Sequence, residues 1–152
     1  MPPILPILTL LGLVPFVVFA FGAVGHIPDT AERMFVSLIN YAALILGFAG
    51  GVHWGLGLLP EVAHPNLRFG GGVLPLIVAW IALMLAQMVA PSVALPVLIA
   101  GYLATVLVEH RAAQRLLVPS RYMWTRWAFT FVAIVMMVMV LILRGLGQTI
   151  VF

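Results

Sequence analysis

The chain has 152 residues, of which 64% are hydrophobic and only 7% are charged, and its mean hydropathy is +1.24. No water-soluble domain of this length buries so much apolar surface, so the composition predicts an integral membrane protein. All seven basic residues are arginines near predicted helix ends, which indicates membrane topology and lipid-headgroup contact rather than nucleic-acid binding. Cysteine is absent, so disulfides and thiolate metal sites are excluded.

Five apolar segments follow one another along the chain, each long enough to cross about 30 Å of hydrocarbon as a helix. We predict an all-α integral membrane protein in which a single transmembrane domain, residues 1–152, forms a bundle of five transmembrane helices. The predicted spans are residues 4–25, 34–59, 70–89, 93–109 and 123–143. The first segment lacks a basic n-region and a cleavage site, so we expect a retained span rather than a signal peptide. Pro15 and Pro75 are expected to kink the first and third spans.

The distribution of arginines gives the predicted bundle an orientation. Two arginines, Arg33 and Arg144, lie on the side opposite the N-terminus. The other five lie on the N-terminal side, and they are Arg68, Arg111, Arg115, Arg121 and Arg126. Because cytoplasmic loops carry the excess of positive charge, we predict that the N-terminus is inside and the C-terminus outside.

Glycines recur every four residues in the second predicted span, at Gly47, Gly51 and Gly55. Small residues at this spacing let two membrane helices approach each other backbone to backbone. We therefore predict that this row packs closely against another helix and that the second span lies at the centre of the bundle.

His53 is the one ionisable side chain that lies deep within a predicted span, and Trp54 follows it. Polar side chains inside a membrane are costly and usually face protein or water rather than lipid. Glu109 and Arg126 lie toward the same side of the membrane, so we predict that His53 reaches one of them. The predicted polar pocket consists of His53, Trp54, Glu109 and Arg126.

Two interpretations of this pocket stay open at the level of sequence. In the functional one, His53 relays protons, donates a hydrogen bond to a quinone or binds haem. In the structural one, a neutral His53 hydrogen-bonds a neighbouring helix and fixes its register. Glu109 then lies at the headgroups and pairs with Arg111 or Arg126.

The histidines and methionines of the sequence do not favour a metal or haem site. Soft thioether ligands suited to Cu(I) lie toward the opposite side of the membrane, close to one histidine. These residues are Met84, Met88, Met136, Met139 and His26. Methionine is also ordinary packing material in apolar helices, so we expect no metal there. A single deep histidine disfavours a bis-histidine haem site, and the sequence contains no recognisable catalytic constellation or phosphate-binding loop.

Three different short motifs follow one another along the chain. They are Leu11-Gly12-Leu13-Val14-Pro15-Phe16, Gly50-Gly51-Val52-His53-Trp54-Gly55 and Gly72-Val73-Leu74-Pro75. Together they resemble the transmembrane protein 69-like family, a bacterial and mitochondrial group labelled as a domain of unknown function. The resemblance implies a small, multi-span protein of the bacterial inner membrane. It brings no activity, substrate or cofactor with it.

Almost no mass lies outside the predicted spans, so any function must lie in or at the membrane. We expect a non-catalytic accessory or assembly subunit that docks on a larger inner-membrane complex. Its partners would be membrane lipids and other membrane subunits or copies of itself, with no cofactor and no nucleic acid. The alternative is a small-molecule handler, either a quinone- or lipid-binding protein or a minimal transporter, that uses the pocket near His53.

Overall fold

The computed structural model describes residues 4–58, 65–114 and 120–151. These residues form five helices and no strand. The helices are α1 (Ile4–Ala23), α2 (Pro28–Gly57), α3 (Pro65–Met88), α4 (Pro91–Gln114) and α5 (Ser120–Gly145). The predicted all-α class and the five helices are therefore confirmed.

Helices α2 to α5 are each long and apolar enough to cross a membrane, as expected of a multi-pass membrane protein. Helix α1 is also apolar, with an apolar stretch of Ile7–Ala23 among the described residues. By length and composition, four of the described helices therefore qualify as membrane spans.

Several helices begin earlier or end later than the predicted spans. Helix α2 begins at Pro28 rather than at residue 34, α3 begins at Pro65 rather than at residue 70, and α4 continues to Gln114. Prolines occupy the first helical position of α2, α3 and α4, where the missing N–H group costs nothing. The predicted limits followed hydropathy, whereas backbone hydrogen bonding continues through the polar residues at the helix ends.

The helices form a closed ring in chain order, because α5 packs against α1 as well as α4, while α2 and α4 also touch across the ring. An aromatic cluster lies at the centre of this bundle. The fully buried ring of Phe16 makes edge-to-face contacts with Tyr41, Tyr102 and Phe129. The Tyr41 hydroxyl donates to the carbonyl oxygen of Gly12 at 2.8 Å, and the Tyr102 hydroxyl donates to that of Ala42 at 3.0 Å. Both hydroxyls thus find a partner inside an apolar core.

One end of the bundle is closed by the C-terminal segment, and we call it the clasp end. Helix α5 ends in a Schellman motif, in which Gly147 adopts a φ of 66° and the Gln148 N–H donates to the Leu143 carbonyl at 2.8 Å. The chain then turns back, and the Ile150 N–H donates to the Val24 carbonyl at 2.8 Å. Residues at the very end of the described chain are in this way tied to the end of α1.

Arg144 fastens the clasp end from the last turn of α5. Its guanidinium donates to the Ala23 carbonyl oxygen at 3.0 Å and pairs with the carboxylate of Glu32. The same guanidinium lies over the Phe35 ring, 4.1 Å from the ring centre. One side chain therefore joins α5 to both α1 and α2.

Candidate functional site

Charged and polar side chains from four helices come together at the opposite end of the bundle. This is the end where α2 and α4 finish and where α3 and α5 begin. We call it the polar end and define it by His53 of α2, Arg68 of α3, Glu109 of α4 and Arg126 of α5. The four residues lie close to these helix ends, and the charges of the other three act through space on the His53 imidazole. Three of the four residues were nominated from the sequence; Arg68 was named there only as a topological charge.

Glu109 and Arg126 form a buried, bidentate ion pair between α4 and α5. The Arg126 Nε donates to Glu109 Oε2 at 2.7 Å, and a terminal Arg126 nitrogen donates to Oε1 at 3.0 Å. The Glu109 side chain is only 1% exposed and that of Arg126 is 14% exposed. Two parallel hydrogen bonds of this kind are among the strongest that side chains make. In the structural interpretation of the sequence, Glu109 pairs with Arg111 or Arg126 at the headgroups; the structure pairs it with Arg126 and buries its side chain.

The same antiparallel contact between α4 and α5 aligns a second pair of side chains. The Trp127 indole N–H donates to Nδ1 of His110 at 3.4 Å, and the two rings meet edge to face with centres 5.9 Å apart. His110 and Trp127 directly follow Glu109 and Arg126 in the sequence, so one helix register sets both contacts. Sequence reasoning missed this pair because no local spacing links residues on separate helices.

His53 points into the bundle, and only 5% of its surface is exposed. Both carboxylate oxygens of Glu109 are engaged by Arg126, and the imidazole makes no hydrogen bond within the described ranges. The prediction that His53 reaches Glu109 or Arg126 stays a prediction, because no direct hydrogen bond joins them among the described residues. The interaction is one of charge through space.

Trp54 lies on a different face of α2 from His53. Its indole is half exposed, and its N–H donates to the Phe69 carbonyl oxygen on α3 at 3.1 Å. The Trp54 and Phe69 rings also meet edge to face, with centres 5.9 Å apart. Trp54 therefore joins α2 to α3 beside the polar end rather than lining a pocket together with His53.

The glycine row of α2 divides into one packed member and two open ones. A Cβ atom on Gly47 would lie 3.2 Å from the Leu76 side chain of α3. A Cβ atom on Gly51 or Gly55 would meet no atom within 4 Å in the described part of the chain. The closest backbone contact instead lies at Gly50, where an added Cβ would overlap the Gly72 carbonyl oxygen of α3. The position of the contact depends on how α2 is rotated about its axis, which residue spacing alone does not fix.

The methionines considered as copper ligands are placed as packing residues or at the surface. Met136 and Met139 are partly buried against the hydrophobic core, whereas Met88 is 81% exposed and His26 is also exposed. Met84 is half-buried on α3. Over residues 4–58, 65–114 and 120–151, no group of three or more His, Asp or Glu side chains is arranged to hold a metal ion.

Chemically, the polar end holds one acid that is already neutralised, a buried imidazole and a second guanidinium. Glu109 is not available as a general base while Arg126 holds both of its oxygens. Arg68 is partly exposed, yet its Nε is buried and has no hydrogen-bond partner in the described structure. The Glu109–Arg126 pair joins α4 to α5, and Arg68 supplies a guanidinium that an anion could bind.

A family model described as "Protein of unknown function (DUF3429)" matches residues 1–142, which is nearly the whole chain. No curated protein and no solved structure matches the sequence.

Proposed function

We propose that this chain, which belongs to the DUF3429 family of proteins of unknown function, is a non-catalytic membrane subunit that docks on another membrane protein. The proposal includes α1 as a fifth span, the N-terminus inside and the C-terminus outside, in a bacterial inner membrane. The excess of arginines on the N-terminal side supports this orientation. The motif resemblance to the transmembrane protein 69-like family supports the bacterial location.

One observation carries the docking hypothesis: the open glycines of α2 lie beside the least buried long span. Only 22% of the most apolar window of α3 is buried in the bundle, compared with 44% in α2. Gly51 and Gly55 are exposed on α2, and Gly70 is exposed on α3, with no described atom within 4 Å of an added Cβ at any of them. Such a surface admits the backbone of another membrane helix at short distance. The occupant that we propose is a transmembrane helix of a partner protein.

The buried ion pair at the polar end supports the same hypothesis. Glu109 and Arg126 satisfy each other, so they act as a fastening between α4 and α5. Small-molecule handling by a quinone-binding protein or a minimal transporter stays the alternative prediction, and it requires that His53 contacts the bound ligand.

The test compares two neighbouring glycines on α2. Gly51→Leu adds its side chain to open space, so the thermal stability of the purified chain should equal that of the wild type while association with the partner is lost. Gly50→Leu is the matched control, because its side chain would overlap the Gly72 carbonyl oxygen and should lower stability instead.

The measurement is native electrophoresis of mild-detergent membrane extracts, together with thermal unfolding of each purified variant. We expect the wild type to migrate in a larger complex and Gly51→Leu to migrate alone. A wild-type chain that migrates as a monomer, or only with copies of itself, would contradict docking on a partner protein. So would a Gly51→Leu variant that keeps the complex intact.

A further inference from the structure

Among the four residues that define the polar end, positive charge exceeds what the Glu109 carboxylate neutralises. Glu109 binds Arg126 through both oxygens, which leaves the guanidinium of Arg68 as an additional positive charge at the same end. The Nε of Arg68 is buried and has no hydrogen-bond partner in the described structure. A buried donor without a partner, on a side chain that also carries charge, is costly unless an anion occupies the site.

The surroundings of Arg68 hold it in place and leave it accessible. The next residue, Phe69, accepts the hydrogen bond from the Trp54 indole and packs edge to face against that ring. This contact fixes the first turns of α3 against α2. Arg68 as a whole is only partly buried, so part of the residue is open to a ligand.

His53 adds a second polar group to the same region. Its imidazole is buried at the same end of the bundle, where the Arg68 guanidinium acts on it through space, and it makes no hydrogen bond within the described residues. An anion at Arg68 would accept hydrogen bonds from the guanidinium and the imidazole and would balance the positive charge. A cation or a neutral apolar ligand would leave the guanidinium uncompensated.

We propose that Arg68 is the anchor of a binding site for a phosphate-bearing anion at the polar end, with His53 as the second contributing group. The planar fork of guanidinium N–H donors matches the geometry of a phosphate group. Arg68 lies in the first turns of α3, at the end of a span where lipid phosphates are found. Exposed tryptophans at this end, Trp54 and Trp124, fit the same interfacial depth. The phosphate belongs either to an anionic lipid or to a free phosphate ion, and the site does not depend on the docking proposed above.

The experiment measures the Tm of the purified full chain in a non-ionic detergent as each ligand is added. The ligands are phosphatidylglycerol, phosphatidylcholine and inorganic phosphate. A ligand that binds only the folded chain raises its Tm, and we expect a rise of at least about 2 °C with phosphatidylglycerol. Arg68→Gln should lose more than half of that rise. Arg33→Gln removes the same charge at an exposed position of the clasp end and should keep all of it.

The ligand series separates the two sources of phosphate. A rise with phosphatidylglycerol alone assigns the site to an anionic lipid, and a rise with inorganic phosphate that also depends on Arg68 assigns it to the free ion. No rise in the wild type overturns the proposal, as does an equal rise with phosphatidylcholine. Equal responses of the two glutamine variants overturn it as well.

A second variant covers the case in which Arg68→Gln does not fold. Arg68→Lys keeps the charge but removes the buried Nε–H donor and the planar fork. We expect it to retain less than half of the phosphatidylglycerol-induced rise in Tm, while Arg33→Lys retains all of it. An Arg68→Lys chain with the full wild-type response would overturn the proposal.

Discussion

The two ends of the bundle each contain one glutamate–arginine pair, and the two pairs differ in almost every other respect. At the polar end, Glu109 is 1% exposed and meets Arg126 through two hydrogen bonds. At the clasp end, the side chains of Glu32 and Arg144 are 52% and 30% exposed, and the pair shares a single close contact. The same two functional groups therefore experience very different surroundings.

The difference shows two ways of closing a small helical bundle. At the polar end the glutamate–arginine contact is buried, so that removing either partner leaves the other charged and without compensation. The clasp end distributes its fastening over the Glu32 pair, the Ala23 carbonyl, the Phe35 ring and the returning chain at Ile150. A cleft of about 480 Å³ also opens beside Arg144, but the charges at its mouth are already paired. Loss of one contact there leaves the others in place.

The largest effect should come from separating the buried pair. Arg126→Ala leaves the Glu109 carboxylate buried without a counter-charge, and we expect it to lower the free energy of unfolding by about 3–5 kcal/mol. Thermal or denaturant unfolding in detergent measures this change. Arg111→Ala removes an exposed arginine close by on α4 and should change stability by less than about 0.5 kcal/mol.

The double variant Glu109→Ala/Arg126→Ala sharpens this test. Because neither charge is then left alone, its loss should be clearly smaller than the sum of the two single losses. Additive losses would mean that Glu109 and Arg126 stabilise the protein independently. The two ends would then differ only in how deeply their charged side chains are buried, not in how strongly the paired residues are coupled.

The architecture was predictable because it depends on local properties of the chain. Long apolar stretches specify membrane helices, and the five helices follow from them. The limits of α3 were not predictable from hydropathy, since its first turn carries the polar Asn66 and Arg68 yet remains helical. Where an apolar stretch stops and where helical hydrogen bonding stops are separate properties.

The site was only partly predictable because its contacts join residues far apart in sequence. His53, Glu109 and Arg126 were nominated from their depth, and the structure brings them to one end of the bundle. Helix rotation decides which glycine of α2 packs most closely. The contact of Arg144 with Glu32 depends on how the C-terminal segment returns to the bundle. No spacing within one helix contains that information.

An intermediate effect is expected from Arg144→Ala at the clasp end. It removes a hydrogen bond to a backbone carbonyl, a partly exposed ion pair and a cation–π contact, each worth about 1 kcal/mol or less. We expect a loss of about 1–2 kcal/mol in unfolding free energy, measured as above. Arg33→Ala, an exposed arginine near the start of α2, serves as the control and should be close to neutral. A loss as large as that of Arg126→Ala would remove the distinction between a concentrated and a distributed fastening.

The smallest effect should come from Glu32→Gln, which tests how little the exposed ion pair contributes by itself. This substitution keeps the shape of the side chain and leaves the contacts of Arg144 with Ala23 and Phe35 in place. Because the pair lies largely in water, we expect a loss of about 0–1 kcal/mol.

Raising the salt concentration from about 0.05 to about 0.5 M should remove most of that difference, since mobile ions screen exposed charges. The corresponding change at the polar end, Glu109→Gln, should stay destabilising at both salt concentrations, because its partner lies inside the protein. Equal salt sensitivity of the two variants would show that solvent reaches both pairs alike.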